Sequence, residues 1–113
     1  DILRGKPLAV LTNEETASSA EIVAAALYEQ SRATLIGTKT YGKDSTQLVN
    51  RMDTHTLFLT NGYFYTPSGK RISETGILPQ ICTGIGESCT ITDKNDPNKD
   101  IVTAINLIKK NLG

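Results

Sequence analysis

Residues 7–37, PLAVLTNEETASSAEIVAAALYEQSRATLIG, decide how this chain folds. Pro7-Leu8-Ala9-Val10-Leu11 is an unbroken apolar run closed by Thr12-Asn13, the pattern of a strand buried on both faces of a parallel sheet. Glu14 to Ala17 form a turn, and a helix is predicted from there through about Gln30. Its interior, Ile22 to Leu27, is alanine-rich and apolar nearly all round, as for a helix packed on several sides. Ser31-Arg32 ends it, and Ala33 to Gly37 give a second short buried strand. Such a strand-helix-strand unit closes as a right-handed parallel crossover, which makes the fold class α/β.

Beyond this unit, 113 residues suffice for one modest domain. Twelve basic residues balance twelve acidic ones, and aromatic residues are few. That composition carries no electrostatic footprint for nucleic acid or an acidic membrane surface. No apolar run approaches the roughly 20 residues of a membrane helix. The sequence opens on Asp1 without a methionine, which suggests a fragment or processed chain. Cys82 and Cys89 are the only cysteines and flank a short glycine-containing segment, with no further pair or histidine to complete a zinc site. A disulfide between them would contribute about 2.5 kcal/mol by loop entropy and point to an oxidising compartment. The alternative is two unpaired thiols in a surface loop. No metal or cofactor motif is present.

In open parallel sheets, reactive groups gather beyond the carboxyl ends of strands, and Ser18 falls there, at the start of the helix. A serine hydroxyl becomes a nucleophile when a nearby base takes its proton, and a desolvated lysine can be that base. Unpaired amides of the first helical turn, that of Ser18 among them, could face developing negative charge. The competing role is structural. Ser18-Ser19-Ala20-Glu21 fits a capping box, and that four-residue pattern alone favours capping over chemistry. Thr16 could cap instead and leave Ser18 free. Lys43 follows Gly42, and Gln47 stands four residues on, so that a helical turn would stack the two and a strand would leave them on one face. A glutamine oxygen can orient a lysine amine without the counter-charge that would keep it protonated. To act as a base near neutral pH, Lys43 must be desolvated. Lys39 is its internal competitor, and His55 has no partners for a chemical role.

Leu48 to Arg51 and Thr56 to Tyr65 read as strands joined at Met52-Asp53-Thr54. Asn61-Gly62 inside the second permits either a tight hairpin or a bulged continuous strand. Thr66 to Arg71 is a turn, Ile72 to Ile81 runs extended along an edge, and Asp93 to Lys99 is a polar loop. Asp100 caps a last amphipathic helix with Ile101, Ile105, Ile108 and Leu112 on its core face.

The motifs PLAVLTN, TASSAEIVAAAL, GTKTYGKDSTQ, LTNGYFYTPSG and GILP, in that order from Pro7 to Ile81, resemble the carboxy-terminal part of the C-terminal processing peptidases, or tail-specific proteases. The resemblance implies a ClpP/crotonase-like serine protease core and an exported, periplasmic or cell-envelope Ser-Lys endopeptidase. Its substrates would be proteins selected by their C-termini. It places the nucleophile at Ser18, three before Glu21, the base at Lys43 and the orienting glutamine at Gln47. It also favours a continuous strand through Asn61-Gly62. Residues 1–113 would then be the carboxy-terminal part of one catalytic domain, lacking the PDZ domain and the segment that donates a second oxyanion amide. In isolation they are expected to be inactive. Two departures stand out: Glu15 places a carboxylate near the nucleophile, and Gln80 replaces an acidic residue. The alternative is a non-catalytic member acting in assembly or peptide binding, with homodimerisation through exposed sheet edges.

Overall fold

A computed structural model of the protein describes residues 2–73, 75–84 and 96–112. Their elements run β1 (Ala9–Thr12), α1 (Ser19–Glu29), β2 (Thr34–Gly37), β3 (Ser45–Arg51), β4 (Thr56–Tyr63), β5 (Ile81–Cys82) and α2 (Lys99–Leu112). The crossover read from residues 7–37 is present. β1 and β2 are parallel, with Ala9 opposite Thr34 and Thr12 opposite Gly37, and α1 connects them. β5 adds on the other side of β2, also parallel, so that β2 is the central strand of a β1-β2-β5 sheet. Its centrality shows in burial, because Leu35 and Ile36 are wholly inaccessible. Each such side chain stabilises the fold by about 1.5–3 kcal/mol relative to exposure. Leu35 forms the core with Ala24 and Ala25 from α1 and with Ile72 and Ile77, against which Val10 and Phe64 pack.

β3 and β4 form a separate antiparallel ribbon, with Leu48 opposite Leu59 and Val49 opposite Phe58. The strand runs on through Asn61-Gly62 as a bulged continuous strand: Thr46 faces Gly62 and Gln47 faces Thr60, so that Asn61 is the extra residue. The turn between the strands closes with the Met52 amide donating to the His55 carbonyl at 2.8 Å.

Several local expectations are corrected. β1 is not buried on both faces, since Leu11 is 44% exposed at the edge strand of the sheet. α1 buries only one stripe, Glu21, Ala24 and Ala25, and leaves Ile22 and Val23 exposed. Its apolar interior therefore outruns the surface that three strands can offer it. The segment from Ile72 does reach the sheet edge, where it ends in β5, but it is not exposed throughout. Ile72 and Ile77 are buried, and only Ile81–Cys82 pairs as a strand. α2 rests on β1 and β2 with Ala104 buried and Leu107 and Ile108 half-buried, while Ile101, Ile105 and Leu112 are exposed. Its contact face is thus rotated from the one the spacing suggested. Asp100 lies inside the first turn rather than capping it, and its carboxylate accepts a hydrogen bond from the buried Thr83 hydroxyl. Gln80 fills a structural role, its side-chain oxygen accepting the Leu35 amide at 2.9 Å where the short β5 has not yet begun.

Candidate active site

The turn between β1 and α1 is built by Asn13. Its side-chain oxygen accepts the amides of Glu15 and Thr16, both at 3.1 Å, closing an Asx-type turn. The chain then reaches Ser18 with φ 56° and ψ −121°. That left-handed backbone is unfavourable for any residue with a Cβ and typically costs about 1–3 kcal/mol. The conformation lifts Ser18 onto a sharp strand-to-helix corner, half-buried, beyond the carboxyl end of β1.

Glu21, three residues on, is wholly inaccessible to solvent. Being three and four residues before Ala24 and Ala25, it shares the buried stripe of α1. Four donors converge on its carboxylate. The amides of Ser18 and Lys43 both donate to Oε2, at 2.9 and 2.8 Å. The Thr40 hydroxyl and the Gly42 amide donate to Oε1, at 2.5 and 2.7 Å. Ser18 and Glu21 face each other in the capping-box arrangement: the Ser18 amide donates to Glu21 Oε2, and the Glu21 amide lies against the Ser18 side chain and donates to the Ser18 carbonyl at 2.9 Å. The capping box that the sequence suggested is therefore present at Ser18.

The loop after β2 is fastened to this corner by three consecutive amides. Tyr41 donates to the Thr16 carbonyl at 2.9 Å, Gly42 to Glu21 Oε1 and Lys43 to Glu21 Oε2. Gly42 has φ 92°, a conformation open to glycine and strained for other residues, and it turns the chain so that the amides on either side can point inward. Thr40 is buried and anchored twice more: its amide donates to the Ile77 carbonyl at 3.1 Å, and its hydroxyl accepts the Ile77 amide at 2.7 Å. The main chains of Ser18 and Lys43 therefore meet across a single carboxylate oxygen.

The Lys43 side chain is exposed. Gln47 lies on β3 and is also exposed. Among the described residues no hydrogen bond joins Gln47 to Lys43. The Ser18 amide, counted from the sequence as an oxyanion donor, is occupied by Glu21. The Ser19 amide makes no hydrogen bond among the described residues and is the open donor of that turn. Glu15 is exposed, its amide held by Asn13. Cys82 ends β5, and Cys89 lies outside the described residues. An apolar recess of about 200 Å³, lined by Ile22, Ala25, Ala26, Phe64, Tyr65, Thr66 and Pro67, opens beside α1 one turn along from Ser18. The described residues hold no group of three or more His, Cys, Asp or Glu side chains placed to bind a metal ion, and no helix among them is long and apolar enough to cross a membrane.

Residues 1–83 match the family described as Peptidase family S41. A carboxy-terminal-processing protease of Bartonella bacilliformis is 45% identical over 82 residues, covering 72% of this chain and 19% of that protein. A carboxy-terminal processing protease of Bacillus subtilis is 37% identical over 112 residues, covering 95% and 24%. Among solved structures, the photosystem II D1 C-terminal processing protease superposes with a TM-score of 0.63 at 35% identity, over 67% of this chain and 20% of that one. The chain thus spans about a fifth of the length of the curated relatives it matches.

Proposed function

Because the chain belongs to peptidase family S41, we propose that it carries the nucleophile and the base of a serine endopeptidase. Ser18 Oγ attacks a peptide carbonyl carbon while its proton passes to Lys43 Nζ. The C–N bond then breaks, and the lysine returns the proton to the departing amine. Water, deprotonated by Lys43, next attacks the acyl carbon, the C–Oγ bond breaks to free the acid, and the lysine returns its proton to Ser18 Oγ. The Ser19 amide, without a hydrogen bond among the described residues, is the donor that takes up the negative charge developing on the carbonyl oxygen, a role in which one donor is typically worth about 100- to 1,000-fold in rate. Gln47 orients the lysine amine.

The observation that carries this reading is the shared Glu21 Oε2, which brings the main chains of Ser18 and Lys43 together from segments 25 residues apart in sequence. A general base must reach its uncharged form, which for a lysine amine requires desolvation. The exposed amine acquires that desolvation from the rest of the protease and from bound substrate. Residues 1–113 are accordingly the carboxy-terminal part of a longer catalytic domain, inactive by themselves.

The relatives are named for carboxy-terminal processing, so the substrates proposed here are proteins selected by their C-termini. Bacterial and chloroplastic relatives, together with a Cys82–Cys89 disulfide, fit an exported enzyme of the periplasm or cell envelope. A second reading draws on the β3–β4 ribbon, which leaves Leu48, Val49, Leu57, Phe58 and Leu59 between 41 and 60% exposed. On that reading its open edges serve assembly, a homodimer included.

Cleavage of a C-terminally tagged protein by the complete enzyme separates the two. Ser18→Ala and Lys43→Ala should each abolish turnover without unfolding the enzyme, and Lys43→Arg should also fail because a guanidinium does not release its proton in this range. Turnover retained in either alanine variant would end the assignment.

A further inference from the structure

The residue that follows the proposed base is held more firmly than the base itself. The Asp44 side chain is only 3% exposed and pairs with Arg71 through two hydrogen bonds, Nε to Oδ2 at 2.8 Å and Nη2 to Oδ1 at 3.1 Å. The Ser73 amide donates to the same Oδ2 at 3.2 Å, and the Asp44 carbonyl accepts the Phe64 amide at 2.9 Å. Arg71 is fixed on its face as well as its edge, its guanidinium carbon lying 3.9 Å from the centroid of the Tyr63 ring. With its own amide on Glu21 and the next residue anchored in this way, the Lys43 main chain is clamped from both sides while its side chain stays free to move.

The clamp also has an electrostatic consequence. An unpaired carboxylate beside an amine favours the charged form of that amine, which a general base cannot use. Asp44 would be such a carboxylate. Arg71 stays protonated throughout the working range and takes up its charge in fork geometry. We propose that Arg71 is a positioning residue for Lys43: it fixes the main chain immediately after the lysine and neutralises Asp44, so that the lysine amine gives up its proton at lower pH than it otherwise would. This rests on the reading of Lys43 as the base. The titratable and charged groups on the elements meeting there are Glu14 and Glu15 on the turn before Ser18, Glu21 on α1, Tyr63 on β4, Tyr65 and Arg71 after it, and Lys39, Tyr41 and Asp44 on the loop of Lys43 itself. Of these, only the Asp44–Arg71 pair is altered by the substitutions below.

The test is the pH dependence of kcat/KM for peptide hydrolysis by the complete enzyme. Arg71→Gln exposes the Asp44 charge, and the acid limb, which reports deprotonation of the base, should move upward by about one pH unit. Adding Asp44→Asn removes that charge and should return the limb to its original position even if the plateau stays low. Arg71→Lys keeps the charge but loses the fork, and should lower the plateau without moving the limb. A purely structural role would depress all plateaus and shift none. An unmoved limb in Arg71→Gln, or a shift that Asp44→Asn does not reverse, overturns the proposal. Should Arg71→Gln not fold, Asp44→Asn alone decides: its limb should stay in place or fall, and a rise overturns the proposal. Lys43→Ala, measured alongside, keeps the two readings apart, since turnover there removes the base assignment whatever the Arg71 variants do.

Discussion

Replacing Glu21 by glutamine exchanges one oxygen for an NH₂ group and strikes the point where the nucleophile turn meets the base loop. A carboxylate accepts on both oxygens, whereas a glutamine amide accepts on one and donates from the other. If its oxygen faces the Ser18 and Lys43 amides, its NH₂ meets the Thr40 hydroxyl and the Gly42 amide. Thr40 could rotate to accept, leaving its own hydrogen buried without a partner, but Gly42 is a fixed main-chain donor. In the opposite orientation NH₂ faces two fixed amides, which is worse. The better arrangement therefore gives up both bonds to the second oxygen, only one of which Thr40 can replace, in a site closed to water. At about 1.5–3 kcal/mol for a bond to a charged acceptor, with partial relaxation, Glu21→Gln should cost about 2–4 kcal/mol. Relaxation by displacement of the Gly42-Lys43 loop would move the base away from Ser18, so activity should fall by more than the unfolded fraction accounts for. Urea denaturation and kcat under folding conditions measure the two effects. A stability loss below about 0.5 kcal/mol with kcat intact would refute the view that this carboxylate holds the site together.

The strained corner at Ser18 should be relieved by glycine, so Ser18→Gly is expected to abolish turnover yet raise stability by about 1 kcal/mol over Ser18→Ala, read as a higher Tm. Gly76 has φ 60°, and a Cβ there would lie 2.1 Å from the Thr40 carbonyl oxygen. Gly76→Ala should therefore destabilise by about 2–4 kcal/mol and depress activity by displacing Thr40 from Glu21, measured by denaturation and kcat. The hydrogen bonds from Arg71 outweigh burial and hold the Asp44 carboxyl below its ordinary value of 3.8. Its contribution to stability is then present above that value and is lost as the pH falls through the depressed one, so Asp44→Asn should flatten the acid side of the stability–pH curve.

The crossover could be read from residues 7–37 because its two apolar runs, alanine-rich helix and short connections agree at every level. What burial would do to each residue was harder to read. The apolar periodicity of α1 and α2 names a wide stripe, and only the neighbouring strands decide which part of it is covered. Ile22, Ile101 and Ile105 consequently face outward here. At the site, residue types and spacing suggested Ser18, Lys43 and Gln47 but made capping and attack rivals, and a four-residue pattern does not reveal the positive φ at which Glu21 takes the Ser18 amide. The hub role of Glu21 had one local signal, a carboxylate in line with Ala24 and Ala25 on a helix face bound for the core. Thr40, Asp44 and Arg71 had none, since their partners are 19 and 27 residues distant along the chain.

The most direct measurement is covalent labelling of the complete enzyme with a fluorophosphonate, read by mass spectrometry of the peptide carrying residue 18. A serine activated by Lys43 should give a single adduct on Ser18, forming faster as the pH rises through the acid limb and vanishing in Lys43→Ala. No adduct on Ser18 in folded enzyme, or one that forms as fast without the lysine, would contradict the pairing of this hydroxyl with this amine.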